Sequence, residues 1–99
     1  MIRVLVLYPR GDDTHFNSEY WLTKHMPMLS TKWPKVVKWE ADVAAPDSPY
    51  HAVAHVFFNS IEDLQASMSS AETGAVMSDI PNYTNTSPIL STNTVSATS

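Results

Sequence analysis

Residues 51–59, His-Ala-Val-Ala-His-Val-Phe-Phe-Asn, limit the folds open to this chain more than any other stretch. They alternate as a strand does, yet neither face is wholly polar. Ala52, Ala54, Val56 and Phe58 form one face, small at its start, so that a helix can approach closely. His51, Val53, His55, Phe57 and Asn59 form the other. Such a strand belongs inside a sheet that helices cover on one side and that needs a partner on the other.

The flanking segments supply the rest of that sheet. Residues 2–8 are apolar except for Arg3, end at Pro9 and read as a central strand. Residues 36–43 set Val37, Trp39, Ala41 and Val43 against Lys38, Glu40 and Asp42, which predicts a half-buried strand. Residues 87–95 are expected to form the last strand.

Two helical regions lie between the strands. Over residues 16–28, Trp21, His25 and Met28 recur at i, i+4, i+7, as do Leu22, Met26 and Leu29. Thr14 or Asn17 is placed to cap this helix. Pro27 should stop it, because its ring donates no N–H and strains an α-helical turn. His25 would then sit in the last free turn, where the helix dipole favours the imidazolium. Ser60-Ile61-Glu62-Asp63 matches a capping box and opens a second helix; a weaker helical piece follows near residues 71–78.

The order β-α-β-β-α-β predicts an α+β, ferredoxin-like protomer with an antiparallel four-stranded sheet. One domain is expected over residues 1–95, with a frayed tail at 96–99. Both helical regions cover one face in this topology. His51, Val53, His55 and Phe57 are left on the other, with either Trp39 or the opposite set of the second strand. Burying that face against a second copy would remove an aggregation hazard, so a homodimer is expected. Two sheets face to face can enclose an aromatic-lined cavity for a small apolar or aromatic ligand.

Composition narrows the chemistry. The 99 residues carry a net charge of −4, and six Lys and Arg scattered along the chain give no footprint for nucleic acid. No run of about 18 apolar residues suggests a membrane span, and no charged leader precedes the first strand, which reads as a cytoplasmic chain. Without cysteine there is no thiolate nucleophile or zinc–thiolate site. His51 and His55 lie about 13 Å apart along a strand, too far to share one metal ion. With only Gly11 and Gly74, no phosphate-cradling loop is present, so no cofactor is expected.

The ordered set Leu7-Tyr8-Pro9, Phe16 with Tyr20 leading to His25-Met26-Pro27-Met28, residues 55–60 and residues 79–84 resembles the EthD family. The pieces span nearly the whole chain, while the lean second helical region and the Ser/Thr-rich end depart from the family pattern. The resemblance implies homodimers of ferredoxin-like protomers whose sheets build a dimeric α+β barrel. Relatives in that superfamily include polyketide cyclases, dehydratases, decarboxylases, isomerases and cofactor-free monooxygenases.

His25 and His55 are the candidate catalytic residues, since histidine titrates near neutral pH and suits general acid/base work. For His25 the alternative is a side chain that caps its own helix, and for His55 an interface histidine. Tyr8, Tyr20, Trp39, His51, Val53, Phe57 and Tyr83 are the candidate substrate contacts, although aromatics also fill any small core or dimer seam. The expected activity is a cofactor-independent lyase, isomerase or cyclase acting on a small carbonyl, phenolic or polyketide-like compound. The rivals are cofactor-free oxygenation of a phenol and a non-catalytic ligand-binding protein.

Overall fold

A computed structural model describes residues 1–99. Four strands, β1 (Ile2–Pro9), β2 (Val36–Val43), β3 (Tyr50–Phe58) and β4 (Ile89–Thr94), form one antiparallel sheet in the order β2-β3-β1-β4. The connection between β1 and β2 is a long helix over residues 18–32. Two short helices, Ile61–Met68 and Glu72–Ser78, and a 3-10 turn at Ile80–Asn82 connect β3 to β4. This is the ferredoxin-like arrangement with its second helix broken in two.

The expected barrel is not found. The sheet is open, with β2 and β4 as free edges that do not pair with one another. Four strands have too little circumference to close on themselves; about eight are needed before a sheet encloses a filled interior. The β2 edge is irregular between Val36 and Lys38. This shift takes Val37 out of alternation and leaves it exposed. Lys38, Glu40 and Asp42 follow on the uncovered face, and charges of this kind discourage edge-to-edge pairing.

The two faces of β3 divide as their side-chain sizes predict. Ala52, Ala54, Val56 and Phe58 are buried under the helices, with Ile2, Val4 and Tyr8 beside them from β1. Small alanines let the long helix lie close, and it inserts Trp21, Met26, Leu29 and Trp33. Trp39 packs on this same side and donates its indole N–H to Ser30 Oγ at 3.2 Å. Of the two alternatives for the second strand, this puts Trp39 under the helices and Lys38, Glu40 and Asp42 on the uncovered face. The one-residue irregularity upstream puts Trp39 opposite Val56, in the helix-facing set.

Pro27 does not end the first helix. Ser18–Tyr20 is α-helical, Trp21–His25 forms a π turn, and Met26–Lys32 resumes the α-helix. The amide of Met26 reaches back five residues to the carbonyl of Trp21. A wide turn at this point moves the preceding carbonyls off the proline ring, and Pro27 then occupies a first-turn position where no N–H is required. The extra residue also turns two neighbours inward: His25 and Met26 are both buried. Leu22 is exposed instead, so the two predicted stripes merge into one face of Trp21, His25, Met26 and Leu29.

Capping follows the sequence closely. Asn17 accepts the amide of Tyr20 at 3.1 Å, and Ser60 accepts that of Asp63 at 3.1 Å. Each cap satisfies an amide that the helix leaves without an internal partner. No helix is long and apolar enough to cross a membrane.

Candidate functional site

Two segments distant in sequence meet at the inner side of the π turn. One is the turn itself, which presents His25. The other is the stretch from Asp79 to Thr84, anchored where Thr84 bridges to Phe16 and Asn17 N–H donates to the Tyr83 carbonyl at 2.8 Å. Between them Asp79 Oδ2 accepts the Nδ1–H of His25 at 2.9 Å, with both side chains largely buried. Asp79 Oδ1 accepts from Tyr20 Oη at 2.8 Å and Asn82 Nδ2 at 3.0 Å. Three donors hold the carboxylate, and an acceptor-only partner sets the histidine tautomer. The proton sits on Nδ1, and Nε2 keeps its lone pair.

Burial pushes the His25 pKa below its ordinary 6.5, while the Asp79 carboxylate opposes the shift without reversing it. His25 is therefore neutral at pH 7, a base rather than the imidazolium expected at a helix end. Burial pushes Asp79 up, but the hydrogen bonds from Asn82, His25 and Tyr20 outweigh it and hold Asp79 below the usual carboxylate range. Its negative charge is secure at neutral pH.

His25 borders a cavity of about 50 Å³ between the sheet and the helices. Val6, Ala54, Val56 and Leu64 are among its walls, and Met68, Met77, Ile80 and Leu90 stand near the surface. The space is small beside the roughly 300–1,000 Å³ of drug-sized sites. Met68 and Met77 are each 37% exposed, and flexible thioether chains can swing aside to admit a ligand.

Aromatic rings support the polar end of this cavity. Tyr83 lies 4.7 Å from the His25 ring and 5.8 Å from Tyr8, and the Tyr8 and Tyr83 hydroxyl oxygens are 2.7 Å apart. Trp21 and Phe16 pack against Tyr8 at 6.0 and 5.1 Å. The Tyr8 phenol is pushed up by burial, against the hydrogen bond from Tyr83 and a weaker pull from the Trp21 indole. The Tyr83 phenol is raised much further, by burial and then by Tyr8.

The candidate residues separate into two groups. His25, Tyr8, Tyr20 and Tyr83 converge around the cavity end. His55, Val53 and Phe57 lie across the sheet from it, so the two candidate histidines stand on opposite sides of the sheet. His55 donates its Nε2–H to Asp42 Oδ2 at 2.7 Å. The Phe57 ring is covered by Lys38 at 4.6 Å and Arg3 at 5.9 Å. Strand alternation separates His55 from the cavity, because β3 turns Ala54 and Val56 toward it.

His51 is held at the sheet end by Thr14. The Thr14 hydroxyl hydrogen goes to the Gly11 carbonyl at 2.9 Å, so His51 Nε2–H donates to Thr14 Oγ1 at 2.8 Å. Its ring stacks on Phe16 at 5.8 Å. Trp39 remains outside the cavity walls. Asp79 and Asn82 were not among the candidate site residues, although they lie in the 79–84 segment that carries the family resemblance; locally that segment reads only as turn formers around Pro81.

The class defined here is an open-sheet, ferredoxin-like α+β protein with a buried His–Asp pair beside an apolar cavity. The EthD domain model matches residues 12–87, and the chain belongs to that family. An EthD-like protein from Ralstonia eutropha JMP134 is 25% identical, with 97% of this chain and 92% of that one covered at a TM-score of 0.85. A dimeric protein of unknown function and ferredoxin-like fold from Bacteroides fragilis is 16% identical, with 93% of each chain covered and a TM-score of 0.66. A variant of SnoaB, a cofactor-independent oxygenase from Streptomyces nogalater, is 10% identical, with 98% of this chain and 93% of that one covered and a TM-score of 0.67. The last two likenesses concern the fold. No curated protein matches the chain.

Proposed function

We propose that this protein is a cofactor-independent enzyme in which His25 removes a proton from a small phenolic or carbonyl compound held in the apolar cavity. The observation that carries the reading is the His25–Asp79 pair: a buried neutral imidazole, its tautomer set by a carboxylate, with Nε2 free. General bases work best with a pKa just below the operating pH. The apolar walls exclude water and hold the reacting conformer.

Oxygenation is the favoured fate of the resulting anion. Dioxygen is apolar and enters such a cavity readily, and a carbanion stripped of water is a stronger electron donor. A ring carbon bearing two hydrogens would become a carbonyl, one oxygen atom staying and the other leaving as water with both hydrogens. The fold likeness to SnoaB supports this order of preference. The same proton abstraction without oxygen is lyase or isomerase chemistry, the second reading.

The test is oxygen uptake by the metal-free protein with a panel of hydroxynaphthalenes and cyclic aryl ketones. Uptake that disappears in His25→Ala supports the proposal. Full turnover by His25→Ala removes it. Product without oxygen uptake transfers the assignment to lyase or isomerase, and binding without product to a ligand-carrying role.

We also infer a homodimer through the uncovered face, where Leu5, Leu7 and Val53 are half-buried in the protomer. The Bacteroides fragilis relative described as dimeric supports this inference.

A further inference from the structure

The cavity is poor in polar groups, and the few it has define what can bind. The Trp33 indole N–H is taken up by Thr73 Oγ1 at 3.1 Å. That leaves the Tyr8 hydroxyl and the His25 ring as the side-chain polar groups on the wall with capacity to spare. Any oxygen a ligand carries inward must be matched at this end, because an unpaired buried oxygen is costly.

The two tyrosines decide which way the matching hydrogen points. One hydroxyl must donate to the other across the 2.7 Å contact. Tyr83 is 1% exposed, has no second hydrogen-bond partner and stands outside the cavity wall. Were Tyr8 the donor, the Tyr83 hydrogen would be buried with no acceptor. With Tyr83 donating to Tyr8, the Tyr8 hydrogen is free to face the cavity, and every group is satisfied once a ligand oxygen arrives. Burial and the neighbouring Tyr8 keep Tyr83 protonated throughout the accessible pH range. The Trp21 indole N–H, buried without a full hydrogen bond, packs beside Tyr8.

We infer that Tyr8 is the catalytic hydrogen-bond donor to a phenolate or enolate oxygen of the substrate, and that Tyr83 is the positioning residue that directs it. Donors in series polarise one another, so charge developing on the ligand oxygen is drawn along the chain from Tyr83 through Tyr8. Such pre-aimed donors are worth most where water is excluded. The substrate class narrows to compounds whose reacting carbon is conjugated to an oxygen, near enough for His25 and Tyr8 to act on one molecule. This rests on the reading of the cavity as the reacting site.

The probe is 4-nitrophenol, whose phenolate is coloured and whose ionisation falls near neutral pH. Wild-type protein should bind it, and titration of the bound probe by absorbance gives its apparent pKa. Tyr8→Phe should raise that value by about one unit, a roughly tenfold loss of phenolate preference. Tyr83→Phe should raise it by less, in the same direction, and serves as an independent second variant. Nitrobenzene, lacking the hydroxyl, should bind wild type and Tyr8→Phe alike. Identical titrations in wild type and both variants overturn the inference, as does failure of wild type to bind 4-nitrophenol at millimolar concentration. If His25→Gln loses turnover while the probe ignores Tyr8, the base assignment stands and this inference falls. If the probe responds to Tyr8 while His25→Gln turns over normally, the reverse holds.

Discussion

His25 and Asp79 are 54 positions apart in the chain, yet Nδ1 and Oδ2 meet at 2.9 Å at the end of an apolar cavity. A carboxylate held by Tyr20 and Asn82 orients a histidine that a π turn rotates inward. Asp79→Asn keeps the size but removes the charge and offers an amide N–H in place of an obligate acceptor. Turnover should fall by roughly 10²-fold or more, with the fold retained by circular dichroism. Wild-type turnover in this variant would show that the pair is structural.

Acid should silence the proposed activity before it unfolds the protein. Because burial lowers the His25 pKa, the neutral base persists below pH 6.5, and kcat/KM should drop along a single acid limb lying under that value. The same shift affects stability. The unfolded chain binds this proton more readily, so the His25 contribution is complete above pH 6.5 and is lost as pH falls toward the folded pKa. Asp79, also depressed, adds stability above its unfolded value of 3.8 that disappears as pH falls through its folded pKa. Activity and urea-unfolding profiles measured together should separate in this order.

Pro27 should matter more to activity than to stability. With Pro27→Ala an amide becomes available, and the helix can return to an α register that rotates His25 away from Asp79. Melting temperature should change little, because the better helix preference of alanine offsets the added freedom of the unfolded chain, while turnover falls roughly tenfold to a hundredfold from misplacement. A variant with both values unchanged would separate the π turn from the proline.

His55→Ala should leave turnover unchanged. The His55–Asp42 hydrogen bond lies across the sheet from the cavity, so its loss leaves His25, Asp79 and Tyr8 in place. A large loss of activity would move the reacting site to the uncovered face.

Ser60→Ala should cost about 1 kcal/mol in urea unfolding, because the Asp63 amide at 3.1 Å loses its acceptor. The cavity, built mainly from other elements, should keep its 4-nitrophenol affinity.

Local chemistry made much of the architecture legible before any coordinates. Alternation placed Ala52, Ala54, Val56 and Phe58 beneath the helices, and Asn17 and Ser60 cap the helices they precede. These are short-range effects of pleat, polar side chain and backbone amide, all contained within a few residues. In β2 the alternation from Lys38 to Val43 follows the sequence, and only Val37 leaves its predicted set, because the irregularity between Val36 and Lys38 takes it out of register; which of the two sets faces the helices was settled by packing.

The residues from His25 to Pro27 show where such reading ends. From sequence alone they were a helix stop with a charged histidine; in the folded chain the helix continues and the histidine is neutral. Sequence by itself determined the element order, the two faces of β3, the caps and the EthD membership. Only the tertiary structure decided that the sheet stays open, that His25 and not His55 borders the cavity, and that Asp79 reaches His25. The physical reason is range. Periodicity and capping act over one or two turns, whereas burial, tautomer and pKa depend on groups that packing brings together from distant parts of the chain.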